Sequence, residues 1–230
     1  MSKHFDINII EKQKDERIVY EAILTYKGSD KTFIEYIDKL NEEHELSESS
    51  FNLKKLASVM ITFYTNTKNK PYDYKYDDNK PDVVYYCYKN GYKGFLNGFY
   101  NRLTQYKLDT DRFSFLKQLK GISYAMLLCC ICKAIKADLI DLSSSIIVEA
   151  SGGIIDMDRV QSLDSLVKYY ERIGFTKMFP DKYIEGIESD GGYTPMIAQV
   201  KDIINLCNFT NISKELLTIL PNYLCKDICK

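Results

Sequence analysis

Residues 122–135, ISYAMLLCCICKAI, form the longest apolar run in the chain and limit its fold more than any other feature. The run is too short to cross a bilayer and is interrupted by Lys133. Ile122, Met126, Cys129, Cys130 and Lys133 recur at helical spacing, so a long helix is expected from near Gln118. A short buried strand, SIIVEA, follows at 145–150. A strand–helix–strand unit in an otherwise antiparallel set of strands predicts α/β layers. The expected form is a mixed, mostly antiparallel central sheet with helices on both faces.

The other elements read as follows. Residues 17–26 (RIVYEAILTY) are β-branched and aromatic and end at Gly28-Ser29, as a strand does. Asp30 is placed to cap a helix carrying Phe33, Ile34, Ile37 and Leu40. A second helix is expected through Phe51, Leu53, Leu56, Val59, Met60 and Phe63, and a polar Tyr-Asp loop at 66–82. Residues 83–89 and 92–103 flank Asn90-Gly91 as a hairpin, with Gly94 and Gly98 marking a bulge or a close backbone approach. Residues 108–116 read as the third strand of this meander. Beyond the SIIVEA strand, Gly152-Gly153 opens an insertion and residues 164–173 form a helix stopped by Gly174. Residues 175–179, 183–188 and 193–200 are strand-like. Residues 1–230 are read as one domain, with a helical extension from about 201.

Composition removes several function classes. Thirty-one Lys+Arg against 32 Asp+Glu give a formal charge of −1, which argues against a nucleic-acid binder. Two histidines, His4 and His44, leave little for a His-based triad or a His-rich metal centre. Seven cysteines, three of them at 129, 130 and 132, suit a reducing cytoplasmic compartment and small apolar side chains. Cys225 and Cys229 lack a second pair at zinc-site spacing, so no metal is expected. Residues 1–17 are polar, without the apolar core of a secretory signal, and no membrane association is expected.

Two motifs carry chemistry. Gln118-Leu119-Lys120-Gly121-Ile122-Ser123 stands where a helix should begin, and unpaired amides at a helix start attract phosphate. Downstream, Tyr169-Tyr170-Glu171-Arg172-Ile173-Gly174-Phe175 closes the helix expected at 164–173. In order, across a helix and a strand, the two resemble the GNAT superfamily of N-acetyltransferases. That family's pyrophosphate loop is Gln/Arg-x-x-Gly-x-Gly/Ala, and its following helix ends Tyr-Glu-x-x-Gly-Phe. The motifs cover roughly residues 108–180. Ser123 stands where Gly or Ala is usual, Phe115 where Pro is frequent, and the 151–163 stretch is longer than the common pattern.

The resemblance implies acetyl-CoA as co-substrate, bound where two parallel strands splay apart, here expected to be 108–116 and 145–150. Phe115, Leu116, Gln118, Leu119, Lys120, Gly121, Ile122, Ser123 and Ser162 are the implied coenzyme contacts. A freed amide near Phe115 or Leu116 would hold the thioester oxygen. Tyr170 would be the proton donor to the leaving thiolate, and Glu149 would take the amine proton, with Asp109, Asp111 and a water chain to bulk as rivals. The acceptor is an amine on a small molecule or protein, and Asp73, Asp77 and Asp78 suggest a cationic one. The alternative is a non-catalytic interaction or CoA-sensing module on the same fold. A homodimer stays open.

Overall fold

The computed structural model describes residues 4–14, 17–43, 55–64, 94–101, 108–151, 153–156, 159–161, 163–178, 193–206 and 212. The N-terminus, for which no element was expected, is a strand. β1 (Phe5–Lys14) pairs antiparallel with β2 (Arg17–Tyr26) from Phe5↔Tyr26 to Lys14↔Arg17. Phe5 and Ile7 alternate with polar Asp6 and Asn8 and bury one face of this edge strand.

Asp30 caps α1 (Lys31–Glu43) as expected, and Phe33 and Ile37 bury one side of that helix. The expected second helix is instead β3 (Lys55–Tyr64), antiparallel to β2. Leu56, Ala57, Val59, Ile61 and Phe63 are all buried, which is the mark of a central strand. A short apolar run of this kind fits helical and strand spacing alike.

β4 (Gly94–Asn101) pairs antiparallel with β3 and lies within the return strand expected at 92–103. Met60 faces Gly98 and Ile61 faces Leu96, so Asn97 is an extra residue, a bulge with Gly98 at φ 139°. The Thr62 hydroxyl donates to Asn97 Oδ1 at 2.7 Å. The remainder of the expected hairpin, the 66–82 loop and its Asp73, Asp77 and Asp78 lie outside the described residues.

Residues 108–116 are not a strand. Asp109 Oδ1 accepts from the backbone amides of Asp111 and Arg112 in a tight turn, and a 3-10 helix follows at Ser114–Leu119. α2 (Ile122–Lys136) is the apolar helix, four residues later than its expected start. It leads into β5 (Ser145–Ser151), which runs parallel to β4. A two-stranded hairpin, β6 (Gly153–Asp156) with β7 (Arg159–Gln161), fills the insertion. α3 (Leu163–Arg172) is stopped at Gly174 as expected. Then come β8 (Thr176–Lys177), β9 (Tyr193–Gln199) and α4 (Val200–Asn205).

The main sheet has the order β1-β2-β3-β4-β5-β9-β8, with β4–β5 its one parallel pair. The class is therefore α/β around a seven-stranded, mostly antiparallel sheet. Tyr20, Ala22, Leu24 and Tyr26 share one face of β2 and are buried. Lys133 of α2 lies 4.8 Å from the Tyr20 ring, and Phe33 of α1 lies 4.7 Å from Tyr26. Tyr170 of α3 meets Phe99, which pairs with Val59 and through it with Ala22. α1, α2 and α3 thus cover the same face, and the expected helical layer on the other face is not among the described residues. Cys129, Cys130 and Cys132 are buried inside this layer and form no disulfide.

Candidate functional site

β4 and β5 pair only through Gly94↔Ile146, Phe95↔Ile147 and Leu96↔Val148. Beyond that point the bulge at Asn97 turns β4 away, and residues 97–101 do not pair with 149–151. At the paired end the approach is tight. A Cβ on Gly94 would stand 3.1 Å from Ile146 Cγ1 and 3.3 Å from the Phe63 ring. The parallel pair is therefore β4–β5 and not the 108–116 strand expected to partner 145–150.

Gly121 caps α2 at φ 80°, ψ 10°, a left-handed conformation that glycine adopts without a Cβ penalty. The first turn of α2 therefore carries no side-chain cap. Of the loop residues, Leu119 and Ile122 bury their side chains in the core, which leaves them only their backbone to offer. Gln118 and Ser123 are half-buried and Lys120 is exposed. Phe115 and Leu116 belong to the 3-10 helix. The Leu116 amide donates to the Phe113 carbonyl at 2.9 Å, so it is not a freed donor. The Phe115 ring stacks on His4 at 5.3 Å and on Tyr26 at 5.7 Å, inside an aromatic cluster with Phe5, Phe33 and Phe113. Ser162 lies outside the described residues.

The second motif reaches the first across 46 positions of sequence. The Tyr169 ring stands edge-on to Phe99, in the half of β4 that does not pair with β5, at 5.4 Å. Its hydroxyl is buried without a complete hydrogen bond. Burial pushes the Tyr169 phenol well above its ordinary value and the neighbouring Tyr170 adds to this, while the Ser123 hydroxyl opposes it. Tyr170 is only 4% exposed and packs on Phe99 at 5.9 Å and Phe175 at 5.7 Å. Burial pushes its phenol up to about 12. The Tyr-Tyr run promised one functional phenol. Two neighbours on a helix point about 100° apart, and that angle was the available signal that both should be followed.

Glu149 is half-buried on β5, opposite Pro195 of β9. Its side chain leaves the sheet on the face of Ile147, opposite the face that holds Tyr170. Asp109 is committed to its turn and Asp111 pairs with Lys117 at 3.2 Å. A separate surface cavity of about 320 Å³ lies along α1, lined by Thr32, Glu35, Tyr36, Lys39, Leu40 and Arg112. Among the described residues, no group of three His, Cys, Asp or Glu is placed to hold a metal ion. No helix among them is long and apolar enough to cross a membrane.

The chain matches no protein-family model, no curated protein and no solved structure.

Proposed function

We propose that the chain is a GNAT-like N-acyltransferase that takes an acetyl group from acetyl-CoA and passes it to a primary amine. The observation that carries this reading is the parallel β4–β5 pair, joined through α2 and hydrogen-bonded over only three residues. Where two neighbouring strands stop pairing with each other, a pantetheine arm can enter between them like a short added strand. The start of α2 lies at the same end of the sheet, because α2 runs back from the end of β4 to the start of β5. Its uncapped first turn, with Ser123 and Lys120, suits a pyrophosphate.

Within this reading the oxyanion donor moves from Phe115–Leu116 to the backbone of 97–101, where β4 leaves β5. Tyr170 stays protonated far above neutral pH. An ordinary thiol titrates near 8.5, so this phenol would hydrogen-bond a leaving thiolate rather than give up its proton fully. Glu149 lies across the sheet from Tyr170, so it would take the amine proton only from an acceptor entering on that other face.

A non-catalytic CoA-binding module is the second reading, favoured by the burial of Tyr170 and the occupied Leu116 amide. Acetyl-CoA at 100 times its dissociation constant should stabilise the fold by about 2.7 kcal/mol, a shift of about 5–10 °C in a chain of this size. With an amine panel, thiol release should follow, and Tyr170→Phe should lower it roughly 100-fold. A thermal shift with no thiol release favours the second reading. No shift at millimolar coenzyme removes both.

A further inference from the structure

We propose that the cavity along α1 is a binding site for a small zwitterion, an α-amino acid with an apolar side chain. The cavity shares no residue with the implied coenzyme contacts, so this site does not rest on the acyl-CoA reading.

Its volume of about 320 Å³ falls in the range of small-molecule sites. Thr32, Glu35, Tyr36, Lys39 and Leu40 recur three and four residues apart along one side of α1. Arg112 completes the wall from the turn that precedes the 3-10 helix. Both parts are fixed in place. Phe33 and Ile37 bury the other side of α1. In the turn, Asp109 Oδ1 accepts from the Arg112 amide at 2.8 Å, and the Asp109 carbonyl accepts from the Phe113 amide at 3.0 Å. The Phe113 ring stands edge-on to Phe33 at 4.9 Å and lies 5.3 Å from the Tyr36 ring, which ties the turn to the helix.

Two charges in this cavity carry the inference. The Arg112 guanidinium lies 5.1 Å from the centre of the Phe113 ring and 5.9 Å from that of Tyr36. Aromatic rings hold it, and among the described residues it forms no ion pair with a carboxylate. Glu35 lines the same cavity and forms no ion pair with a cation. Lys39 has an interaction of its own. Two opposite charges that share a cavity without pairing offer one anchor for each charge of a zwitterion. A ligand carboxylate takes the planar fork of Arg112 through two parallel hydrogen bonds, and the ammonium takes Glu35. Tyr36 and Leu40, both half-buried, supply the apolar surface for the ligand side chain. A simple acid meets repulsion from Glu35, and a simple amine meets it from Arg112.

The test is calorimetry on the full chain with leucine, methionine and phenylalanine. Each is compared with the acid that lacks its ammonium and the amine that lacks its carboxylate. At least one amino acid should bind, with both of its analogues about tenfold weaker. Arg112→Gln should weaken the amino acid about tenfold without weakening the amine analogue. Glu35→Gln should weaken it similarly without weakening the acid analogue. Glu35 is exposed and touches neither ring, so its variant reads the site even if Arg112→Gln fails to fold. The proposal is overturned if none of the three amino acids binds at millimolar concentration. It is equally overturned if either analogue binds as tightly as its parent, or if the folded variants keep wild-type affinity. None of these outcomes bears on the acyl-CoA reading, which coenzyme binding decides.

Discussion

Gly174 ends α3 at φ 101°, and a Cβ there would stand 3.2 Å from the Ile203 amide nitrogen and 3.3 Å from the Asp202 carbonyl carbon. Both obstacles are backbone, so neither yields to a rotamer change. Gly174→Ala therefore combines left-handed strain with displacement of α4 from the end of α3. The left-handed term alone costs about 1–2 kcal/mol. A loss of at least 2 °C per kcal/mol is expected for a chain of this length, roughly 3–6 °C in all, read by thermal denaturation. An unchanged melting temperature would mean that the end of α3 relaxes out of both the left-handed conformation and the contact with α4. The same residue illustrates what a sequence can disclose at this scale. A glycine after a periodic helix predicted the stop, but not that Ile203 and Asp202 would lie against it.

Asp30 does for the start of α1 what Gly174 does for the end of α3. Its Oδ1 accepts from the Phe33 amide at 3.1 Å, and its own carbonyl accepts from Ile34. Asp30→Ala removes the cap and should cost about 1 kcal/mol, while Asp30→Asn should retain most of it. The two variants should melt about 2–4 °C apart. Equal melting points would assign α1 wholly to the packing of Phe33 and Ile37. This helix was legible because its signals are local: a cap, then apolar residues at spacings of three and four. Less local elements were not. β3 satisfies a helical spacing at Leu56, Val59 and Phe63, yet Ala57 and Ile61 are equally buried because strands cover both of its edges. β1 alternates through Phe5, Ile7 and Ile9 before turning polar, as an edge strand can. In the segment read as a strand, Phe113, Leu116 and Leu119 recur every three residues and are all buried. That is the 3-10 period, and it was in the sequence. The parallel partner of β5 is consequently β4 and not the 108–116 segment.

Across the molecule, near-neutral charge leaves burial as the main source of shifted titrations, and nearly all of it points toward alkali. Burial pushes the Cys130 thiol up to about 12 from 9.0, with the Ala22 backbone and Lys133 opposing. Burial likewise pushes Tyr170 up to about 12 from 10.0. Burial also raises Tyr20, Tyr26 and Tyr169. A group whose folded value lies above its unfolded one adds stability that is complete below the unfolded value. That stability is lost as pH climbs toward the folded value. Cys130 therefore loses its contribution between pH 9 and 12, and Tyr170 between pH 10 and 12. At about 1.4 kcal/mol per unit these are roughly 4 and 3 kcal/mol, together comparable to the whole stability of an ordinary domain. Urea midpoints followed by circular dichroism should be level from pH 7 to 9 and then fall steeply, with unfolding before pH 12. Cys130→Ala and Tyr170→Phe should each start from a lower plateau, because each removes packing, but descend on a shallower slope. A wild-type midpoint that stays flat to pH 12 would mean that these groups already meet solvent, and the aromatic wall of the proposed coenzyme site would have to be open rather than closed.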